Sequence, residues 1–189
     1  MTDVRLLLFV AAVGVVRAGE LANPGFEEVA DGKPAGWTIR DPLTSQVEGQ
    51  AAEGERCLRI VDDSKEKGTD VQSNRFPVVG GQLVALRLKL FLEAGDRQGL
   101  GVYLKLWDAG GKELVEPRER QAARPPMTLG EWTEAVAVYE IPENAVQAAA
   151  WLHTFSVAAT TCRVDDLTLA QMPSDRKSTR LNSSHRIRS

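Results

Sequence analysis

The feature that most restricts how this chain can fold is a two-residue alternation of apolar side chains, repeated in several segments. In residues 82–94 (QLVALRLKLFLEA), Val84, Leu86, Leu88, Leu90 and Leu92 fall on one side, and Ala85, Arg87, Lys89, Phe91 and Glu93 on the other. In residues 99–108 (GLGVYLKLWD), Leu100, Val102, Leu104 and Leu106 alternate with Tyr103, Lys105 and Trp107. In residues 147–155 (QAAAWLHTF), Ala148, Ala150, Leu152 and Thr154 alternate with Gln147, Trp151, His153 and Phe155. A helix would place apolar residues three and four apart; a period of two belongs to strands with one face buried. Such strands are stable in antiparallel sheets whose apolar faces cover each other at about 10 Å separation.

Turn chemistry separates the runs. Gly80-Gly81, residues 93–96 (EAGD) and residues 108–111 (DAGG) are tight connections, residues 118–130 (RERQAARPPMTLG) form a longer loop, and residues 141–145 (IPENA) end the run that starts at Trp132. This spacing predicts about nine or ten strands. One helical turn each is expected at residues 27–31 and 143–149. With no internal repeat and no linker, the fold class is all-β: a single two-sheet antiparallel β-sandwich.

The ends read differently. Residues 6–16 form an apolar run too short to span a bilayer. Val16 and Ala18 put small residues where signal peptidase requires them, so residues 1–18 are read as a signal peptide and the chain as secreted or extracytoplasmic. Residues 173–189 are read as a non-native or disordered tail. Within it, residues 175–185 (DRKSTRLNSSH) resemble the in-frame translation of a common short-read sequencing adapter, so the native protein is expected to continue beyond them. The tail holds five Lys/Arg and one Asp, and the leader two Arg and one Asp. Setting both aside takes the net charge from −3 to −8 for the domain at residues 19–172. So acidic a domain is poorly suited to nucleic acid or anionic lipid, and no further apolar stretch could insert into a membrane. The two cysteines, Cys57 and Cys162, each lie in an apolar run. After export they could pair, or each could serve as a small buried hydrophobe.

Four segments in order carry a family resemblance: residues 21–27 (LANPGFE) followed by Gly36-Trp37; residues 54–60 (GERCLRI); Trp132 with the run ending at Ile141-Pro142; and residues 164–167 (VDDL). Together they resemble CenC-type carbohydrate-binding modules of the galactose-binding-like jelly-roll superfamily. The resemblance implies a jelly roll with a sugar-binding face, a polysaccharide or glycan as partner, and an appendage role beside a catalytic domain in the full-length protein. It also implies one structural calcium ion. Glu27 and Glu28 at the end of a first strand, and Asp165 and Asp166 at the start of a last one lying beside it, would gather carboxylates. Glu27 and Asp165 are the implied metal ligands, with carbonyls near Asn23 and Gly54.

A sugar presents apolar C–H patches and many hydroxyls, so its site needs flat rings and planar hydrogen-bonding groups. The outward sets supply Tyr103, Trp107, Trp151 and His153, with Arg87, Lys89, Lys105 and Gln147. Trp37 is expected to plug the sandwich edge, and Trp132 is open to either role. A catalytic triad is disfavoured because His153 is the domain's single histidine, and no phosphate loop or metalloprotease helix motif is present. The chain is therefore read as a binding module and not an enzyme. The alternative reading is a structural or protein-interaction sandwich without a sugar site.

Overall fold

The computed structural model describes residues 20–41, 43–115, 123–155 and 157–173. The leader, residues 174–189 of the expected tail, and residues 116–122 of the long loop lie outside them, while Pro173, read as the start of the tail, pairs with Gln82 in a strand. Among the described residues twelve strands follow in order: β1 (Val29–Ala30), β2 (Lys33–Pro34), β3 (Trp37–Ile39), β4 (Thr44–Glu48), β5 (Cys57–Asp62), β6 (Val71–Ser73), β7 (Phe76–Pro77), β8 (Gln82–Gly95), β9 (Leu100–Asp108), β10 (Trp132–Glu140), β11 (Ala145–Thr154) and β12 (Thr160–Pro173). No helix occurs among the described residues. The helical turn expected at 143–149 is instead the start of β11, because Ala145, Ala148 and Ala150 are required in the sandwich interior. The one expected at 27–31 is the approach to the β1–β2 hairpin.

Two layers face each other. The first has the order β10-β8-β12-β5-β4. In the second, β11 is central: β9 pairs along one edge, β6 and β7 share the other, and β3 lies outside β6. All these pairings are antiparallel. The alternation decides what goes inside. Leu86, Leu88 and Leu90 of β8, Leu58 and Ile60 of β5, and Cys162 and Val164 of β12 have no exposed surface; neither do Leu100, Val102 and Leu104 of β9 nor Ala148, Ala150 and Leu152 of β11. Each fully buried Leu contributes about 1.5–3 kcal/mol, which makes this apolar core the main stabilising element.

The layers are also tied by one buried hydrogen bond. Tyr139 of β10 donates its hydroxyl to the Val102 carbonyl of β9 at 2.9 Å. Burial pushes the Tyr139 phenol above its ordinary range. Both cysteines are free and buried, so no disulfide closes the fold. Burial raises both thiols, that of Cys162 to about 12.

The outer face of the first layer is ionic. Glu93 accepts from Arg59 Nε at 3.0 Å to each carboxylate oxygen and from Arg59 Nη2 at 2.8 Å. It also accepts from Arg163 Nε at 2.5 Å. Glu48 completes the group, 3.8 Å from Arg59 and 3.6 Å from Arg163. Hydrogen bonds from Arg59, with the charge of both guanidiniums, hold the Glu93 carboxyl below its usual value. Phe91 and Trp132 share this face with ring centroids 5.5 Å apart, which places Trp132 away from the other layer's aromatics.

Candidate functional site

The outer face of the second layer gathers rings. Register sets Tyr103 of β9 beside Trp151 of β11, Trp107 beside Gln147, Lys105 beside Ala149, and Gly101 beside His153. On the other side of β11, Gln72 of β6 lies beside Trp151, and Thr38 of β3 beside Gln72. One row thus runs Thr38, Gln72, Trp151, Tyr103 across four strands. Trp151 and His153 stack at 4.7 Å and 20°, Tyr103 is 4.8 Å from Trp151, and Phe155 is 6.2 Å from Tyr103. Gly101 makes this packing possible. A Cβ there would stand 2.4 Å from a Tyr103 ring carbon and 2.8 Å from one of Phe155, so any side chain would part the rings.

Polar groups hold the rings in place. Trp151 Nε1 donates to Asp70 Oδ1 at 2.7 Å. The His153 Nδ1 bonds to the Thr69 carbonyl, which makes Nδ1 the donor and leaves Nε2 as the ring's acceptor nitrogen when the imidazole is neutral. Lys105 lies 4.5 Å over Trp151 and 4.0 Å from Asp70. Arg75 lies 3.9 Å over Trp107 and Arg124 3.7 Å over Phe155. Arg75 also donates to Gln147 Oε1 at 3.5 Å. The rings differ in access: Trp107 is 4% and Tyr103 8% exposed, whereas Trp151, His153 and Phe155 are half-buried.

Six of the eight expected sugar-site residues therefore share one face: Tyr103, Lys105, Trp107, Gln147, Trp151 and His153. Arg87 and Lys89 do not. Their parity on β8 points them outward as expected, but β8 belongs to the other layer, so they face the opposite side of the sandwich. There Arg87 pairs with Glu134 at 3.4 Å, and Lys89 with Glu53 at 2.5 Å and Asp166 at 3.5 Å. Arg75, Asp70 and Arg124 join the group although they were not foreseen. Asp70 and Arg75 flank β6, which is too short to carry a period, and Arg124 follows a residue pinned to β9 by the Ala123–Val102 bridge. Trp37 is a packing residue, as expected. It is 7% exposed, sits 5.0 Å from Phe26, and donates Nε1 to the Ala22 and Asn23 carbonyls.

Of the four acids expected to gather at the chain's two ends, only Glu27 and Asp165 come together among the described residues, beside Gly25, and their strand context differs from expectation. Residues 20–28 are turn, not strand, with Asn23 and Phe26 at positive φ. Asp165 and Asp166 lie within β12, where a register shift between Asp165 and Thr168 bulges the strand. Leu167 N donates to the Pro24 carbonyl and so docks the N-terminal turn on that bulge. Asp165 is fully buried; its Oδ2 accepts from Ala52 N (2.8 Å) and Glu53 N (3.0 Å), and its Oδ1 from Asp166 N (2.8 Å). Burial pushes its carboxyl up, against those N–H donors. Glu27 Oε1 accepts from Glu55 N (2.9 Å) and Arg56 N (3.1 Å). Gly54 has φ +69, and a Cβ there would be 2.1 Å from Glu27 Oε1, so the turn accepts this carboxylate only with glycine. Both carboxylates flank Gly25: a Cβ there would lie 3.7 Å from Asp165 Oδ1 and 3.8 Å from Glu27 Cγ.

The donor type suits a hard cation, since both side chains are carboxylates and Asp165 is buried. Calcium takes about six to eight oxygens. No third Asp, Glu, His or Cys joins the pair among the described residues. The Asn23 carbonyl is already taken by Phe26 N and Trp37 Nε1. The remaining ligands would be other carbonyls or water.

No family model matches the chain, and no curated protein matches it. Solved structures do. The CBM22-1 xylan-binding domain of Paenibacillus barcinonensis Xyn10C is 17% identical with a TM-score of 0.56, over 84% of this chain and 98% of that one. TmCBM61, in complex with β-1,4-galactotriose, is 18% identical with a TM-score of 0.50, over 80% of this chain and 97% of that one. The CBM22-1–GH10 modules of Clostridium thermocellum Xyn10B, complexed with xylohexaose, are 19% identical with a TM-score of 0.52, over 83% of this chain and 28% of that one. These likenesses, with the two antiparallel layers, show that the chain has the jelly-roll β-sandwich fold that these solved modules share.

Proposed function

We propose that this chain is a non-catalytic module of an exported protein that binds polysaccharide on the outer face of β9, β11 and β6. The observation that carries the reading is the register of β9 on β11. It sets Tyr103, Trp107, Trp151 and His153 side by side with Lys105 and Gln147 on one outer face. Half-buried Trp151, His153 and Phe155 supply ring surface for sugar C–H groups, while Gln147, Gln72 and His153 Nε2 supply hydrogen bonds to hydroxyls. Support for a non-catalytic role is that the His153 imidazole is committed to Thr69 and to the Trp151 stack. A module of this kind acts by proximity, raising the effective concentration of an attached catalytic domain at its substrate. The neighbour joined to a GH10 module gives that arrangement its support.

The test is affinity electrophoresis of residues 19–173 in gels containing xylan, β-1,4-galactan, β-glucan, mannan, polygalacturonate or dextran sulfate. Retardation by at least one polymer, removed by Trp151→Ala with the melting temperature retained, is the expected result. Absence of retardation in every gel would return the chain to the alternative, a structural or protein-interaction sandwich. The low exposure of Trp107 and Tyr103 is the observation that favours it.

A calcium ion held by Glu27 and Asp165 belongs to the same proposal. Its role would be to neutralise the buried Asp165 charge and clip the N-terminal turn to the β12 bulge. A melting temperature that falls on chelation and recovers with calcium is expected; an unchanged one removes the metal.

A further inference from the structure

We propose that the glycan this face takes is anionic, carrying carboxylates or sulfates along its length. The inference rests on the polysaccharide-binding reading above and names the ligand's charge. The chain as a whole is acidic, with a net charge of −3. On the ring face this sign reverses. Arg75, Lys105 and Arg124 each lie over a ring, at 3.9, 4.5 and 3.7 Å from the centroids of Trp107, Trp151 and Phe155. Arg75 and Arg124 are exposed, and among the described residues neither forms an ion pair with a carboxylate. Against them stand Asp70, whose Oδ1 already accepts from Trp151 and neighbours Lys105, and Glu113, which its antiparallel bridge to Trp107 sets on the same face, so three cations meet two acids.

A face built for neutral sugar leaves its rings open. Here the Trp107 ring is 4% exposed beneath Arg75, and solvent meets guanidinium edges instead. A ring under a guanidinium holds the cation's plane in place while its N–H edge stays free for a planar anion. The cations are spread along the strands. Gln147 of β11, beside Trp107, and Phe155, the residue that follows the end of β11, are eight residues apart, roughly 26 Å at about 3.3 Å per residue. That span suits repeated anionic groups on a chain and not one charged terminal sugar.

The experiment measures affinity for polygalacturonate and its carboxyl-reduced neutral counterpart, and for dextran sulfate and dextran. The protein is wild type, the Arg75→Gln/Arg124→Gln double variant, or Arg87→Gln, which removes a cation from the opposite face. Wild type is expected to bind one acidic polymer at least about tenfold more tightly than its neutral partner, a preference that salt weakens. The double variant should lose that preference and Arg87→Gln should keep it. Preference for polygalacturonate identifies a carboxylate ligand and preference for dextran sulfate a sulfated one. Equal binding to acidic and neutral partners overturns the inference and leaves the glycan-binding reading standing; so does a preference untouched by the double variant. Binding to none of these polymers or to the neutral xylan, galactan, glucan and mannan fells both.

Discussion

Consider replacement of Glu93 by glutamine. The wild-type carboxylate takes three hydrogen-bond contacts from Arg59 at 2.8–3.0 Å and one from Arg163 at 2.5 Å. The Arg163 side chain is 9% exposed and that of Arg59 25%. The amide keeps the shape and one acceptor but removes the charge, leaving two guanidiniums with Glu48 as the remaining counterion at 3.6–3.8 Å. Breaking a buried pair from one side costs about 3–5 kcal/mol. Glu93 is 21% exposed, so water absorbs part of the loss, and about 2–3 kcal/mol is expected. In a domain of this size that corresponds to a melting temperature lower by about 5–10 °C. The control is Glu134→Gln, which changes net charge identically but opens a surface pair with Arg87 whose side chains are 58% and 50% exposed. Its effect should stay within about 0.5 kcal/mol. Urea melts of the three proteins decide the matter. Equal shifts for both variants would refute the claim that the Arg59–Glu93–Arg163 group is a stabilising clamp across β5, β8 and β12.

The same group carries a pH signature. The folded Glu93 pKa lies below its ordinary value of 4.5, so its contribution is complete above that value and disappears as pH falls through the folded pKa. The stability gap between wild type and Glu93→Gln should therefore close in acid; a gap constant from pH 7 to 3 would contradict it. Tyr139→Phe removes the hydroxyl tie between layers, but the Val102 carbonyl keeps the Ala123 N–H at 2.9 Å, so urea melts should show a loss of only about 1 kcal/mol. Cys57 and Cys162 should resist a thiol reagent in the native protein and both react after unfolding, because burial hides and protonates them. Rapid native labelling would show that β5 and β12 are not packed as described.

The layers and faces were legible because side chains on a strand alternate with a fixed period. Parity alone placed Leu86, Leu104 and Leu152 inside and Tyr103 and Trp151 outside. Parity says nothing about which layer owns a strand. Arg87 and Lys89 were grouped with the rings for that reason, and only long-range pairing of β8 with β10 and β12 separates them. β1, β2, β6 and β7 have two or three residues each, too few to show any period. Two of the unforeseen site residues, Asp70 and Arg75, hang from that short-strand edge. The segment at residues 21–27 was readable as a motif but not as a shape. Its turn depends on the Asn23 side chain, which accepts from Glu28 N at 3.0 Å and donates to the Glu28 carbonyl at 2.8 Å, and on docking to a bulge in β12 far along the chain.

The most direct measurement is isothermal titration of wild-type and Trp151→Ala protein with soluble oligosaccharides of xylan, galactan and polygalacturonate. A wild type that binds one of them, and a folded Trp151→Ala protein that does not, is the expected outcome. Binding that survives loss of the Trp151 ring would contradict the placement of the site on the β9–β11 face.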